Sequence, residues 1–419
     1  MRTKDALVLA AIIPTAVMGT FTHSASSGHM GVGEDRIAST SADDRDGSNS
    51  VHLGGPSTTT TTTPGDGHLL LENRHLSEIG GPTLENAGAP ERRCELALVT
   101  TKEAGPSRFE DFPTMEESTV MFLHVFKCAG STLRRMMVDW AIEDGKSGAI
   151  VVDCDNPREE GKVCLHDHHL INTAVQEEYI AKQKVLAGHF MWGFQRHVKT
   201  PYLMITSLRN PLEAFVSGQQ YMHRDETKTL LQATQFVSWI MAKKLGYEVG
   251  PTPKAGVDYQ ALASSRRSRG DAAELPNRNT AGYIRRFIGV TDKHIPEDQM
   301  HSCVQAAIAN LDTFWVVGVV EQYPGFEEAL MRVLDPQGRH KKLWETYTTR
   351  RYNTSPVTTP NILSMMDPDM VQEFNTSLSL QWKLYDRAVE LWDVRCREIL
   401  PESMHKEKCP VPSAPQGYT

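Results

Sequence analysis

From about residue 94 the chain alternates short apolar runs with longer amphipathic stretches; the residues before it follow neither pattern. Apolar runs at 120–126, 149–152, 184–187, 202–207 and 314–320 are short, rich in Val, Ile, Leu and Phe, and bounded by polar or turn residues. They read as strands. Helical periodicity follows Ser131, Asn210 and Tyr323 and recurs at 227–244, 282–288, 296–311 and 378–396. Strands that are apolar throughout and separated by helices predict an α/β domain over residues 93–400, with a parallel sheet flanked by helices on both faces. Such sheets bind ligands beyond the carboxyl ends of their strands, so the polar residues there are the ones to examine.

Ahead of that domain, Arg2 and Lys4 precede an apolar run from Ala6 to Phe21, the order of a secretory n-region and h-region. The run falls short of the ~20 residues a spanning helix needs, and it contains Pro14. A short type II signal anchor at 1–21, the preferred reading, and a cleaved signal peptide both stand, and either puts the rest of the chain in the lumen. Residues 22–92 are rich in Ser, Thr, Gly, Pro, Asp and His, and "PSTTTTTTPGDG" is a Thr/Pro tract suited to an O-glycosylated stalk. With so little apolar surface to offset chain entropy, this segment reads as a disordered stem. Residues 401–419 read as a C-terminal tail.

The net charge of −8 argues against a general nucleic-acid coat protein and leaves room for a local basic pocket. Seven cysteines are an odd number. In an oxidising lumen, Cys154 with Cys164 and then Cys396 with Cys409 are the expected bridges. Asn353 and Asn375 open glycosylation sequons.

The first strand runs into "FLHVFKCAGSTLRRM". A strand, a small-residue turn and a helix start place backbone N–H groups where an anion can sit, at Ala129, Gly130, Ser131 and Thr132. Gly130 allows close approach, Lys127 adds a mobile point charge, and the two hydroxyls add donors. The plainer alternative is a strand–turn–helix with a serine N-cap. A Walker A loop is excluded, because its lysine follows the glycine.

A second strand–turn–helix lies in "YLMITSLRNPLEAFVS". Arg209 ends the strand, Asn210-Pro211 opens a helix, and Ser217 follows eight residues after Arg209. Arg209 and Ser217 can hold one phosphate from two directions, and the alternative is an arginine in a salt bridge. A lysine for a transferred group and an arginine for a remote phosphate suit a nucleotide phosphorylated at both its 5′ and 3′ positions.

These motifs resemble those of the PAPS-dependent sulfotransferases, specifically the Golgi membrane-bound carbohydrate enzymes and their heparan sulfate and uronyl 2-O-sulfotransferase branch. "HVFKCAGSTL" is similar to the family's 5′-phosphosulfate loop and "LRNPLEAFVS" to its 3′-phosphate motif. "NRNTAGYIRRFIG", "FWVVGVVEQYPGFEEAL" and "LYDRAVELW" resemble later elements, in the family's order. Phe126 stands where proline is usual and Cys128 where a hydroxyl or small residue is. Asn210 replaces the commoner Asp, and Ala214 and Phe215 lie where a second basic residue is common. The resemblance implies a P-loop-like sulfotransferase fold in a single catalytic domain. It also implies PAPS (3′-phosphoadenylyl sulfate) as co-substrate and transfer of its sulfuryl group to a hydroxyl of a polysaccharide or glycoprotein glycan.

In "KVLAGHFMWGF", His189 directly follows a strand, with Gly188 giving room beside it. A G-H-x-x-[FW] element at this point supplies the catalytic base of the resembling branch, and histidine suits that task near neutral pH. Lys127 would stabilise the leaving phosphate. Glu321, at a strand end, is the second candidate for the base and a candidate substrate contact; Arg285 and Arg286 are candidate substrate contacts that could equally meet the cofactor. Basic stretches at 264–270, 338–342 and 349–353 are candidate contacts for an anionic glycan. "CLHDHHL" crowds Cys164, His166, His168 and His169 too tightly for a tidy tetrahedral site, so a solvated loop and no required metal are expected. The expected partners are a glycosaminoglycan-like acceptor and a Golgi membrane, with no nucleic acid. A P-loop kinase and an inactive glycan-binding protein on the same scaffold are the competing readings.

Overall fold

The computed structural model describes residues 109–153, 162–166, 170–171, 174–247, 249–250, 281–290, 295, 297–349 and 357–409, all within one unit spanning Leu76–Thr419. At its centre lies a seven-stranded sheet in the spatial order β4-β3-β2-β5-β1-β6-β7. The strands are β1 (Thr119–Leu123), β2 (Gly148–Asp153), β3 (Lys162–His166), β4 (Leu170–Ile171), β5 (Val185–Gly188), β6 (Tyr202–Leu208) and β7 (Val316–Val319). Adjacent strands are parallel except β3 and β4, at one edge.

Helices flank the sheet and connect its strands. In chain order they are α1 (Gly130–Glu143), α2 (Ala174–Ala181), α3 (Pro211–Met222), α4 (Leu230–Lys244), α5 (Ala281–Ile288) and α6 (Met300–Leu311). There follow α7 (Tyr323–Leu334), α8 (Lys341–Thr349), α9 (Thr359–Ser364), α10 (Pro368–Ser377), α11 (Ser379–Ile399) and α12 (Glu402–Lys408). The fold is α/β, with the parallel sheet and flanking helices expected from the apolar pattern.

The central strand shows why the pattern works. All five residues of β1 are buried, as a strand with neighbours on both sides and cover on both faces requires. Its one polar side chain, Thr119, donates to the Gln183 carbonyl at 3.2 Å. β5 is buried throughout as well, and Gly188 belongs to that packing. A Cβ at Gly188 would lie 1.9 Å from the Val151 carbonyl oxygen of β2. The glycine therefore serves strand contact, a correction to the expectation that it makes room for His189.

Other expectations shift. The first strand ends at Leu123 instead of 126, because the chain turns off the sheet to build the Lys127 loop. Cys164 and His166, expected in a loop, lie on β3, where Cys164 pairs with Val152. The Cys396–Cys409 disulfide is present, and Cys303 is also disulfide-bonded, which the sequence did not suggest. Cys154, His168 and His169 lie outside the described residues, as do 1–21 and 22–92. The expected tail carries α12, which the disulfide holds to α11. Gly325 of α7 sits against it, and a Cβ at that position would lie 2.0 Å from the Lys408 carbonyl oxygen. The folded body thus continues at least to Cys409.

Topology marks one place for a ligand. From β1 the chain moves through α1 toward the β4 edge, and from β6 it moves toward the β7 edge. Direction reverses between these neighbours, and in open parallel sheets the crevice beyond the strand ends at such a point is the usual binding site.

Candidate active site

Two loops leave the sheet at that crevice. The first follows β1. Lys127 (φ 64°) and Ala129 (φ 59°) are the only non-glycine residues with positive φ among the described residues. Left-handed backbone costs such residues about 1 kcal/mol or more each and clusters at functional sites. Ala129 is the N-cap of α1, and no side chain caps that helix. Ser131 and Thr132 lie in its first turn, which corrects the expectation that serine opens the helix. Helix starts are where anions bind to backbone amides.

Gly130 has a further reason to be glycine. A Cβ there would lie 1.8 Å from Cδ2 of His124, so the helix start rests directly on that imidazole. His124 is buried, and its Nδ1 has no hydrogen-bond partner among the described residues. Its ring stacks on His189 with centroids 4.1 Å apart. Burial first, then the neighbouring His189, Arg134, Arg286 and Lys127, hold its pKa well below the usual imidazole value, so it is neutral. His189, just beyond β5, is half-buried and keeps access to solvent. The sheet thus places the expected base next to the expected anion loop.

Beneath the loop, the Cys128 carbonyl accepts a hydrogen bond from Ser207 Oγ at 2.6 Å, and the thiol lies 3.4 Å from the Tyr283 hydroxyl. Burial pushes that thiol up to about 12. Tyr283, on α5, also donates to the Arg209 carbonyl at 3.3 Å and so ties the two loops together.

The second loop follows β6. Asn210 caps α3 by accepting from the amides of Leu212 (3.0 Å) and Glu213 (3.2 Å), with Pro211 in the first turn. The Arg209 guanidinium donates to Glu213 Oε2 at 3.2 and 2.7 Å, so its resting partner is a carboxylate. Glu321 accepts from the Asn210 amide through one oxygen and from the Tyr385 hydroxyl through the other, each at 2.9 Å. It keeps an exposed edge, yet crowding of its carboxyl by protein atoms raises its pKa. Glu321 braces the loop with both oxygens engaged.

The loops meet at α3. Ser217 is half-buried there, and the space beside neighbouring Gly218 is filled by Phe126 and the Lys127 stem, 3.4 and 3.8 Å from where a Cβ would be. The Lys127 ammonium lies 4.4 Å from the centre of the Tyr221 ring, and the Arg224 guanidinium 4.6 Å from the same ring. Burial, then Arg209 and Arg224, lower the Lys127 pKa to about 8. Lys127 thus packs against α3 at Gly218, the residue after Ser217, within electrostatic reach of Arg209.

Arg286 approaches from α5. Its Nη1 donates to the Phe190 carbonyl at 3.3 Å, and its own carbonyl accepts from the Trp192 amide at 2.8 Å, which docks α5 on the segment after His189. Arg285 precedes it on the same helix and is half-buried. Arg134, Tyr221, Arg224 and Tyr283 were not singled out from sequence. Only the Arg209-to-Ser217 helix pattern could have pointed to the middle two, since continuing it carries the chain to 221 and 224.

Part of the expected basic surface is elsewhere. Arg339 Nη2 and His340 Nε2 bond Asp144 at 2.8 and 3.1 Å, beside the C-terminal end of α1. With 14 residues in α1 and 1.5 Å per residue, that is ~20 Å from the Gly130 end, so these two residues secure α8 instead of lining the crevice. Residues 264–270 and 350–353 lie outside the described residues. Asn375 lies in α10 and accepts from the Trp382 indole at 2.9 Å; Asn353 is outside the described residues. Among the described residues, no group of three or more His, Cys, Asp or Glu side chains is placed to hold a metal ion, and no helix is long and apolar enough to cross a membrane. Compared with protein-family models and with curated proteins, the chain matches none.

Proposed function

We propose that this protein is a sulfotransferase that moves the sulfuryl group of PAPS to a hydroxyl of an anionic polysaccharide or glycoprotein glycan. The observation that carries the reading is the junction of the two loops. The stem of Lys127 lies against α3 at Gly218, the residue after Ser217, in the helix that Arg209 precedes, where β1 and β6 diverge. A cation from each loop at one crevice suits a donor with anionic groups at both ends of a nucleoside.

In this reading Lys127 and the turn from Ala129 to Thr132 hold the 5′-phosphosulfate, and Arg209 with Ser217 holds the 3′-phosphate. Arg209 then shares its guanidinium between that phosphate and Glu213. An oxygen of the acceptor forms the new S–O bond while the bond from sulfur to the 5′-phosphate oxygen breaks. The hydroxyl proton passes to His189, and the electron pair stays on the phosphate oxygen beside Lys127. A lysine with a pKa of about 8 is still mostly protonated at neutral pH, so the charge is present when needed. Arg285 and Arg286 are candidate contacts for the acceptor or the cofactor, while Glu321 contributes by holding Asn210. No metal enters the step. Residues 1–21 anchor the chain in the Golgi membrane and 22–92 set the catalytic unit away from it.

The test is sulfate transfer from radiolabelled PAPS to a panel of desulfated glycosaminoglycans and other acidic polysaccharides. Wild type labels an acceptor, and His189→Ala and Lys127→Ala do not. Absence of PAP binding by calorimetry would overturn the reading.

A further inference from the structure

Tyr221 is one of the more exposed large side chains of the protein, at 39%. It has no place in the chemistry above. Its ring nonetheless contacts the ammonium of Lys127 at 4.4 Å and the guanidinium of Arg224 at 4.6 Å. Two like charges are brought to one aromatic ring, whose negative faces are the part of a protein surface that attracts cations without neutralising them. Phe126 meets the ring edge-on at 5.6 Å, and Phe126 and the Lys127 stem fill the space beside Gly218, one helical turn earlier on α3. The lysine is therefore held along its length: Gly218 beside the stem, and at the head the Tyr221 ring, with the Phe126 ring centre 5.9 Å from the same ammonium.

We propose that Tyr221 is a positioning residue, which presents Lys127 and Arg224 together to the anion bound at the Lys127 loop and makes Arg224 a further anion-binding residue. The inference rests on the reading of that loop as the donor site. A carboxylate in place of the ring would neutralise both cations and compete with the ligand. An aliphatic side chain would offer neither the ammonium nor the guanidinium a ring face. The charged groups acting on Lys127 are Arg209, from the end of β6, and Arg224, beyond α3; the titratable Cys128 thiol of its own loop and buried His124 beneath the loop are neutral.

The test uses the full chain, with and without PAP. In ligand-free protein, carbon-13 lysine spectra locate Lys127, assigned by its loss in Lys127→Arg. Its ε-methylene signal is displaced upfield by the ring in wild type and in Tyr221→Phe and returns to the ordinary position in Tyr221→Leu. Calorimetry then gives PAP affinity from about pH 6.5 to about pH 9.5, a span that brackets the Lys127 pKa of about 8. Tyr221→Phe stays within about twofold of wild type, and Tyr221→Leu loses about fivefold. Arg224→Gln also binds more weakly, but the pH at which binding fades moves upward, because a charge that depressed Lys127 is gone. An undisplaced Lys127 signal in wild type, or equal losses in the phenylalanine and leucine variants, would overturn the positioning role even if PAP binds. Wild type that shows the displaced signal yet binds no PAP would overturn the donor-site reading, and the role of Arg224 with it.

Discussion

The two loops that meet at the crevice differ in how far the protein satisfies them by itself. After β6, Asn210 caps its helix, Glu213 engages Arg209, and Glu321 takes the Asn210 amide. After β1, two non-glycine residues adopt left-handed backbone, no side chain caps α1, and a lysine is held where burial and two arginines lower its pKa. The β6 loop is satisfied by its own side chains; under the proposed function the β1 loop is one that a ligand completes. Free energy withheld from folding at the β1 loop is available for binding, which is how strained sites relate stability to function.

The largest expected effect falls at the helix start. Gly130→Ala places a methyl inside the His124 ring, and overpacking of this kind costs about 3 kcal/mol of stability in urea or guanidinium unfolding. The double variant with His124→Ala recovers much of that loss. If Gly130→Ala alone is neutral, the loop is softer than the contrast requires. Next comes Asn210→Ala, which removes a cap accepting from two amides and costs about 1 kcal/mol. The matching change at Ala129 does the reverse: Ala129→Asn tolerates left-handed backbone better than alanine and stabilises the fold slightly. Equal responses at the two sites would erase the difference between them.

The smallest effect has an informative sign. The folded pKa of Lys127, about 8, lies below the ordinary lysine value of 10.5, so folding disfavours the charged form. This lysine therefore burdens the fold below pH 8, and the burden lifts as pH rises from 8 toward 10.5. Lys127→Met is more stable than wild type at neutral pH, and the gap narrows on going to pH 10. Thermal unfolding at several pH values measures both.

Five strands and the major helices were legible because burial on both faces demands continuous apolar runs, as in β1 and β6. β3 and β4 were not, since "KVCLH" and the two-residue β4 carry too little apolar sequence to stand out, and edge pairing alone defines them. At the site, Lys127, Arg209, Asn210 and Ser217 could be found because strand–turn–helix spacing is local. Tyr283 could not, because it reaches Cys128 across 155 residues of chain. Neither the His124 contact at Gly130 nor the Val151 contact at Gly188 was legible: sequence marks where a side chain is missing, and only the fold tells which neighbour fills its space.

Cys128 is the one free cysteine among the described residues, buried under the β1 loop with its thiol pushed up to about 12. Such a sulfur is almost never a thiolate at neutral pH, and thiolates are what alkylating reagents attack. Its modification must wait for the loop to lift, so the rate of alkylation times the opening of the crevice. Any molecule that fastens the loop slows that clock, whether or not its chemistry has been guessed.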